Sequence, residues 1–247
     1  MTTVLQFISS FSDGGAETLV KDYGILFKQH PELQTRCVLV TLHNFKDSAN
    51  YKRLQKSGVE VISIYNHHNK LVSLHRRLFG SWYVSRKLLK IIKEQKPTVI
   101  HVHLGLLRYL LPISNKLKNI KLFYTCHNEP SVMFGHANGE KEAASFLLKN
   151  NKLQMIALHE EMKKQLNSMF GIDNVIVVNN GVNFKAFREV KESKKQIRDR
   201  LNISQNAYVV GHIGRFSDQK NHLFLIDIFA ELCKRQEKSF LLLIGSG

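Results

Sequence analysis

Val4-Leu5-Gln6-Phe7-Ile8-Ser9, followed closely by Asp13-Gly14-Gly15-Ala16-Glu17, is the stretch from which the architecture follows. A short, mostly apolar run leads to a glycine pair, and the next segment, from about Ala16 to Gln29, has helical spacing. This reads as strand, turn, helix. The runs Arg36 to Thr41, Val59 to Ile64, Val99 to His103, Lys121 to Thr125, Met155 to Leu158 and Val175 to Val178 repeat the rhythm, with polar or helical connections between them. Strands joined by helical crossovers pair in parallel. The expectation is a doubly wound α/β domain whose ligands lie beyond the carboxyl ends of the strands.

After Asn183 the composition changes. Residues 185–200 read KAFREVKESKKQIRDR, a charged tract suited to a solvated helix between two domains. The domains are therefore expected at 1–183 and 184–247. In the second, Tyr208 to Ile213 and Phe240 to Ile244 read as strands, and Asn221 to Arg235 has helical spacing. One βαβ unit rarely supports a core of its own, so this domain is expected to be the incomplete start of a larger one.

With 43% hydrophobic and 23% charged residues among 247, the composition is that of a globular protein. No run approaches the ~20 apolar residues of a membrane-spanning helix, and Met1-Thr2-Thr3-Val4-Leu5 lacks a basic leader, so a cytoplasmic location is expected. Cys37, Cys126 and Cys233 are too scattered for a disulfide framework or a paired-cysteine metal site. The net charge of +16 favours phosphate-bearing partners, whether nucleotide, lipid headgroup or nucleic acid.

Four features carry candidate chemistry. Gly14 and Gly15 let a ligand approach the backbone where a helix offers free amides to an anion, although one glycine pair also makes an ordinary tight turn. Arg215 and Lys220, just beyond the strand ending at Ile213, could clamp a pyrophosphate or be two solvated surface cations. His101 and His103 share one face of a strand, and His103 and His127 fall at the same sheet edge, as cleft residues or as structural histidines. A metal site is not expected, since spacing supplies no third ligand. His67-His68 reads as loop. Finally, Lys70 to Lys96 holds Lys70, Arg76, Arg77, Arg86, Lys87, Lys90, Lys93 and Lys96 against Glu94 alone, with apolar faces interrupted at Gly80. It is either a solvated helix face or a surface for an anionic membrane.

Gly14-Gly15-Ala16-Glu17, His101-Val102-His103, Thr125-Cys126-His127, Val178-Asn179-Asn180-Gly181-Val182, Gly214-Arg215-Phe216-Ser217-Asp218-Gln219-Lys220 and Leu243-Ile244-Gly245-Ser246-Gly247 occur in that order. Together they resemble the family 4 glycosyltransferases, especially the bacterial exopolysaccharide and capsule type. The resemblance implies a GT-B-like architecture: a complete N-terminal Rossmann-like domain plus the first βαβ unit of a second. It also implies transfer of a sugar, with retention, from a nucleotide-sugar to a glycan or lipid-linked glycan acceptor, with no metal or other cofactor. UDP is the default nucleotide.

By the same resemblance Arg215 and Lys220 hold the donor pyrophosphate, with the backbone at Gly14 and Gly15 facing the phosphate or sugar. His127 contacts the transferred sugar, while Glu17, His103 and Asn180 lie on the acceptor and sugar side. Asn179 stands where the family has proline and Asn183 where it has aspartate, which implies a looser interdomain hinge. The family's pair of ribose-binding glutamates does not appear, so the 247 residues alone are expected to be inactive. Two other readings stay open: a non-catalytic acceptor- or membrane-binding subunit that needs a partner, and a basic nucleic-acid-binding protein. Peripheral contact at the inner face of the cell membrane through Lys70 to Lys96 is a further expectation, and no specific nucleic acid is expected.

Overall fold

A computed structural model describes residues 1–65, 70–136, 138–150, 152–182, 184 and 190–245, with backbone alone for 70–79. His67, His68, Asn183, most of the tract after Phe184, Ser246 and Gly247, and the side chains of Arg76 and Arg77, lie outside the described residues. The described chain divides into two compact units, Met1–Gly181 and Val182–Gly247.

The first unit is a parallel sheet with helical crossovers. Strands β1 (Thr2–Ile8), β2 (Thr35–His43), β3 (Val61–Tyr65), β4 (Val99–His103), β5 (Lys121–Thr125), β6 (Leu153–Ala157) and β7 (Ile176–Val177) lie in the order β3-β2-β1-β4-β5-β6-β7. Helices α1 (Gly15–Gln29), α2 (Ala49–Lys56) and α3 (Lys70–Gln95) connect the first four strands, and α4 (Pro130–Phe134), α5 (Glu140–Lys149) and α6 (Glu160–Phe170) follow β5 and β6. The order reverses direction between β1 and β4, which opens a crevice at the carboxyl edge there. Gly80 does not interrupt α3, because neighbouring turns and packing carry a single glycine at a cost of about 1 kcal/mol.

Alternation along the strands sorts the two faces. Leu5 and Phe7, Val38 and Val40, Ile100 and Val102, and Leu122 and Tyr124 face one core, into which α3 inserts Val84, Leu88 and Ile92. Ile8 and Leu39 face the other with Val20 of α1 and Leu54 of α2. On that second face the sheet also carries polar residues. Gln6 is in register with His101 on the neighbouring strand, and His103 with Thr125 on the next. A polar group buried in a sheet costs stability unless it finds a partner, so this stripe must be internally hydrogen-bonded.

The second unit contains α7 (Lys194–Arg200), strands β8 (Tyr208–Ile213) and β9 (Ser239–Ile244) paired in parallel, and the crossover helix α8 (His222–Arg235). Among the described residues of the charged tract, Lys194–Arg200 is a helix, started by a capping box between Ser193 and Gln196. No residue of α8 is buried, and Leu223, Phe224, Ile226 and Ile228 are exposed.

Candidate active site

The loop from β1 to α1 is held by side chains rather than by glycine alone. Asp13 accepts hydrogen bonds from the backbone of Ala49 and Asn50 at 3.4 and 3.1 Å. The buried Asn50 amide donates to the Ser12 carbonyl at 2.8 Å and contacts Thr18 Oγ1. Gly14 is the N-cap of α1 and supplies no side-chain oxygen to the first turn. The carboxylate of Glu17 takes that role electrostatically: Ser12 Oγ donates to it at 2.9 Å, and a Cβ on Gly14 would lie 2.2 Å from its second oxygen. Glu17 thus stands against the amides that a bound anion would use. Around Gly15 the space is open, since an added Cβ would meet nothing within 4 Å.

At the same carboxyl edge His103 and His127 are hydrogen-bonded to each other, and His101 packs its ring against His103. His103 is fully buried; its Nε2 lies 2.8 Å from Gln6 Oε1 and its Nδ1 lies 2.9 Å from His127 Nε2. His101 Nε2 is 2.7 Å from Thr125 Oγ1, and the His101 and His103 rings are 4.1 Å apart. Burial pushes His101 and His127 down to about 4 and His103 well below its ordinary value, with mutual repulsion adding to the effect at His101 and His103. All three are neutral at physiological pH. Neutral imidazole donates from one nitrogen and accepts at the other, so the group can present oriented hydrogen-bond partners to a hydroxyl.

Elsewhere in the first unit a cavity of about 600 Å³ is lined by His43, Tyr65, Ser81, Arg108, Asn138 and Glu142, among others. The turn carrying Arg108 is fixed by the buried Glu140, whose carboxylate accepts from the backbone of Leu107 at 2.8 Å and Arg108 at 3.2 Å. Burial raises the Glu140 pKa, and those two hydrogen bonds oppose the rise.

In the second unit, Arg215 and Lys220 are exposed on the loop between β8 and α8, and neither is ion-paired among the described residues. The loop is tied down at Gly214, whose amide donates to Ile244 O at 2.9 Å. Gly245 must be glycine, because a Cβ there would fall 1.9 Å from Gly214 O. The stem of Lys220 runs beside Gly214, and His222 packs edge-on against both His212 and Phe216 at 4.9 Å. Asn180 is exposed near the end of the first unit. Its neighbour Asn179, in the expected proline position, donates to Leu158 O at 2.8 Å and so anchors the loop by side chain instead of by ring.

The structure therefore brings Gly14, Gly15, Glu17, His103 and His127 to one sheet edge, and places Arg215 and Lys220 together on one loop of the other unit. Gln6, Asn50 and Glu140 brace the candidate elements by hydrogen bonds, and motif reading passed over them. Gln6 carried a signal, a polar residue inside an apolar strand. Asn50 and Glu140 carried none.

A seven-stranded parallel sheet with a crevice at its switch point, followed along the chain by a second βαβ unit, matches the fold of the GT-B glycosyltransferases. Residues 14–185 match the model of Glycosyltransferase Family 4, and the chain belongs to that family. It is 22% identical to EpsF of Bacillus subtilis (strain 168), described as a glycosyltransferase, over 99% of this chain and 62% of EpsF. Among solved structures it resembles Anabaena HepE in complex with UDP and glucose, with a TM-score of 0.71 and 19% identity over 100% of this chain and 62% of HepE. It also resembles the UDP-GlcNAc 2-epimerase of Neisseria meningitidis bound to UDP-GlcNAc, with a TM-score of 0.63 and 15% identity over 98% and 65% of the two chains. These structural likenesses establish the fold; the family match separates this chain from the epimerase. The chain spans about three fifths of the length of EpsF and HepE.

Proposed function

We propose that this chain is the acceptor domain, 1–183, and the start of the donor domain, 184–247, of a retaining glycosyltransferase. The transferase moves a sugar from a nucleotide-sugar, UDP-linked by default, to a glycan or lipid-linked glycan of exopolysaccharide or capsule type. The observation that carries the reading is the unpaired couple Arg215 and Lys220 on a loop locked by the Gly214–Gly245 contact, in a member of this family. HepE in complex with UDP and glucose supports the choice of donor.

In the reaction the bond from the anomeric carbon to the β-phosphate oxygen breaks and a bond to an acceptor hydroxyl oxygen forms. The hydroxyl proton passes to the departing phosphate. Arg215 and Lys220 offset the growing phosphate charge without a metal or other cofactor. His127 hydrogen-bonds the transferred sugar, Gly14 and Gly15 let the donor approach the backbone, and Glu17 accepts from sugar hydroxyls. Glu17 also disfavours a phosphate seated directly on the α1 amides, which assigns that loop to the sugar. Arg108 and Glu142 line the cavity assigned to the acceptor, His103 lies on the acceptor and sugar side, and Asn180 is on the interdomain loop.

The exposed apolar side chains of α8 support packing of further chain on the second unit, and the 247 residues alone are expected to transfer no sugar. Titration calorimetry of this chain with UDP, GDP and UDP-glucose tests the reading. Two exposed cations should give about millimolar, salt-sensitive, base-indifferent binding, or about 4 kcal/mol. Loss of that binding in Arg215→Ala is expected; binding unaffected by Arg215→Ala removes the clamp. Micromolar base-selective affinity, or UDP release with acceptor present, overturns the inactivity of the isolated chain. Salt-sensitive binding to random DNA with no response to UDP-glucose favours the nucleic-acid reading. Acceptor binding without any nucleotide binding favours the partner-dependent subunit.

Peripheral contact with an anionic membrane is supported by the described half of α3. Trp82 and Tyr83 are exposed, with Arg86 4.6 Å over the Trp82 ring and Lys87 5.7 Å over Tyr83. Aromatic rings and cations on one exposed surface suit an interface with anionic lipid. Among the described residues no helix is long and apolar enough to cross a membrane.

A further inference from the structure

We propose that Gln6 is a positioning residue: through the buried His103 it fixes the single ring proton of His127 on Nε2 and leaves His127 Nδ1 as a bare acceptor. The chain of atoms is continuous, with Gln6 Oε1 2.8 Å from His103 Nε2 and His103 Nδ1 2.9 Å from His127 Nε2. An amide oxygen only accepts, so His103 donates from Nε2. Neutral His103 then has a lone pair at Nδ1, and His127 must donate to it from Nε2. Having one proton, His127 keeps none at Nδ1.

Burial enforces the order. His103 is fully buried and Gln6 nearly so, and a wrong proton in either link would leave two donors or two acceptors facing each other without water. The strand register explains why this residue does it: Gln6 is in register with His101 and on the same sheet face as His103. The functional consequence rests on the proposed contact of His127 with the sugar. It predicts that His127 accepts from a sugar hydroxyl at Nδ1 and donates nothing to it.

Long-range ¹⁵N-¹H spectra of the histidine rings in the 247-residue chain, near pH 7.5, read the proton directly. The expected result is His103 and His127 both protonated at Nε2. Gln6→Met keeps the volume and removes the acceptor. His103 is then free to donate from Nδ1, and the ratio of the two His127 tautomers should shift roughly tenfold toward Nδ1–H. His127 protonated at Nδ1 in the wild type overturns the proposal, and that measurement needs no variant to fold. An unchanged His127 tautomer in a folded Gln6→Met variant also overturns it. Adding UDP-glucose to the wild type separates the two readings: the expected tautomer with no shift at His127 supports the proton assignment and removes only the sugar contact.

Discussion

Lowering the pH from about 7.5 to about 5 should destabilise the first unit through its three clustered histidines. Burial pushes His101 and His127 down to about 4 in the folded chain and His103 well below its ordinary value of 6.5. These are depressed bases, so the unfolded chain binds protons that the folded chain refuses. Their stabilising effect is complete above pH ~6.5 and fades as the pH falls toward ~4. Across the chosen window His101 and His127 each lose about 2 kcal/mol, and His103 adds in the same direction, a large part of the stability of a small domain. Glu140 acts in the opposite sense. Its pKa is raised by burial, so acidification through the same window relieves part of its cost. Urea titrations followed by circular dichroism at the two pH values measure the net loss. His127→Gln should reduce the pH dependence by about 2 kcal/mol while leaving the pH 7.5 fold intact. A net loss below about 1 kcal/mol, or a pH dependence unchanged by His127→Gln, would refute the assignment of the histidines as the acid-sensitive element.

Other substitutions separate packing from function. Gly15→Ala has room for its Cβ at the first helical position and should stabilise α1 by about 0.4–1 kcal/mol in thermal melts, yet weaken UDP-glucose binding if a ligand occupies that space. In the active full-length enzyme, Arg215→Ala and Lys220→Ala should each lower kcat/KM roughly ten- to hundredfold without loss of fold, and less than about twofold would mark them as surface cations. Gly245→Ala drives a Cβ into Gly214 O and should destabilise the second unit, read as faster proteolysis near 214–245. Arg86→Ala with Lys87→Ala should reduce sedimentation with anionic vesicles and leave neutral vesicles unaffected; equal binding to both vesicle types ends the membrane reading.

The strand and helix order was legible because each strand of the first unit is short and apolar and each crossover has its own helical period. Edges were less so. β2 runs from Thr35 to His43, beyond the apolar run Arg36 to Thr41, because ladder pairing with β1 at Thr35 and with β3 at His43 carries polar ends that periodicity discounts. Among the described residues of the charged tract, the helix Lys194–Arg200 starts at Ser193, since helical propensity without a packed face is decided by the cap. Gly80 sits within α3 although it interrupts the apolar pattern, for there the surrounding turns outweigh one residue's preference.

The candidate site divides along a different line. Residues suited to meet a ligand through backbone or charge announce themselves in the sequence: a glycine pair after a strand, cations before a helix, histidines closing strands. Residues that hold those groups do not. Asn50 is thirty-odd positions from the loop it braces, and Glu140 is as far from the turn it fixes, so only the fold makes either one adjacent. Glu17 shows the cost of reading a motif without its geometry. As a first-turn acid it is an ordinary helix-start residue, yet its carboxylate lies where the free amides would otherwise draw an anion. That placement divides the labour. On the proposed function, negative charge on the donor would be met by Arg215 and Lys220, while the edge of the first sheet offers Glu17 and neutral imidazoles, partners suited to hydroxyls. A site built this way should respond to salt through the cations alone, and to hydroxyl stereochemistry through the first unit alone.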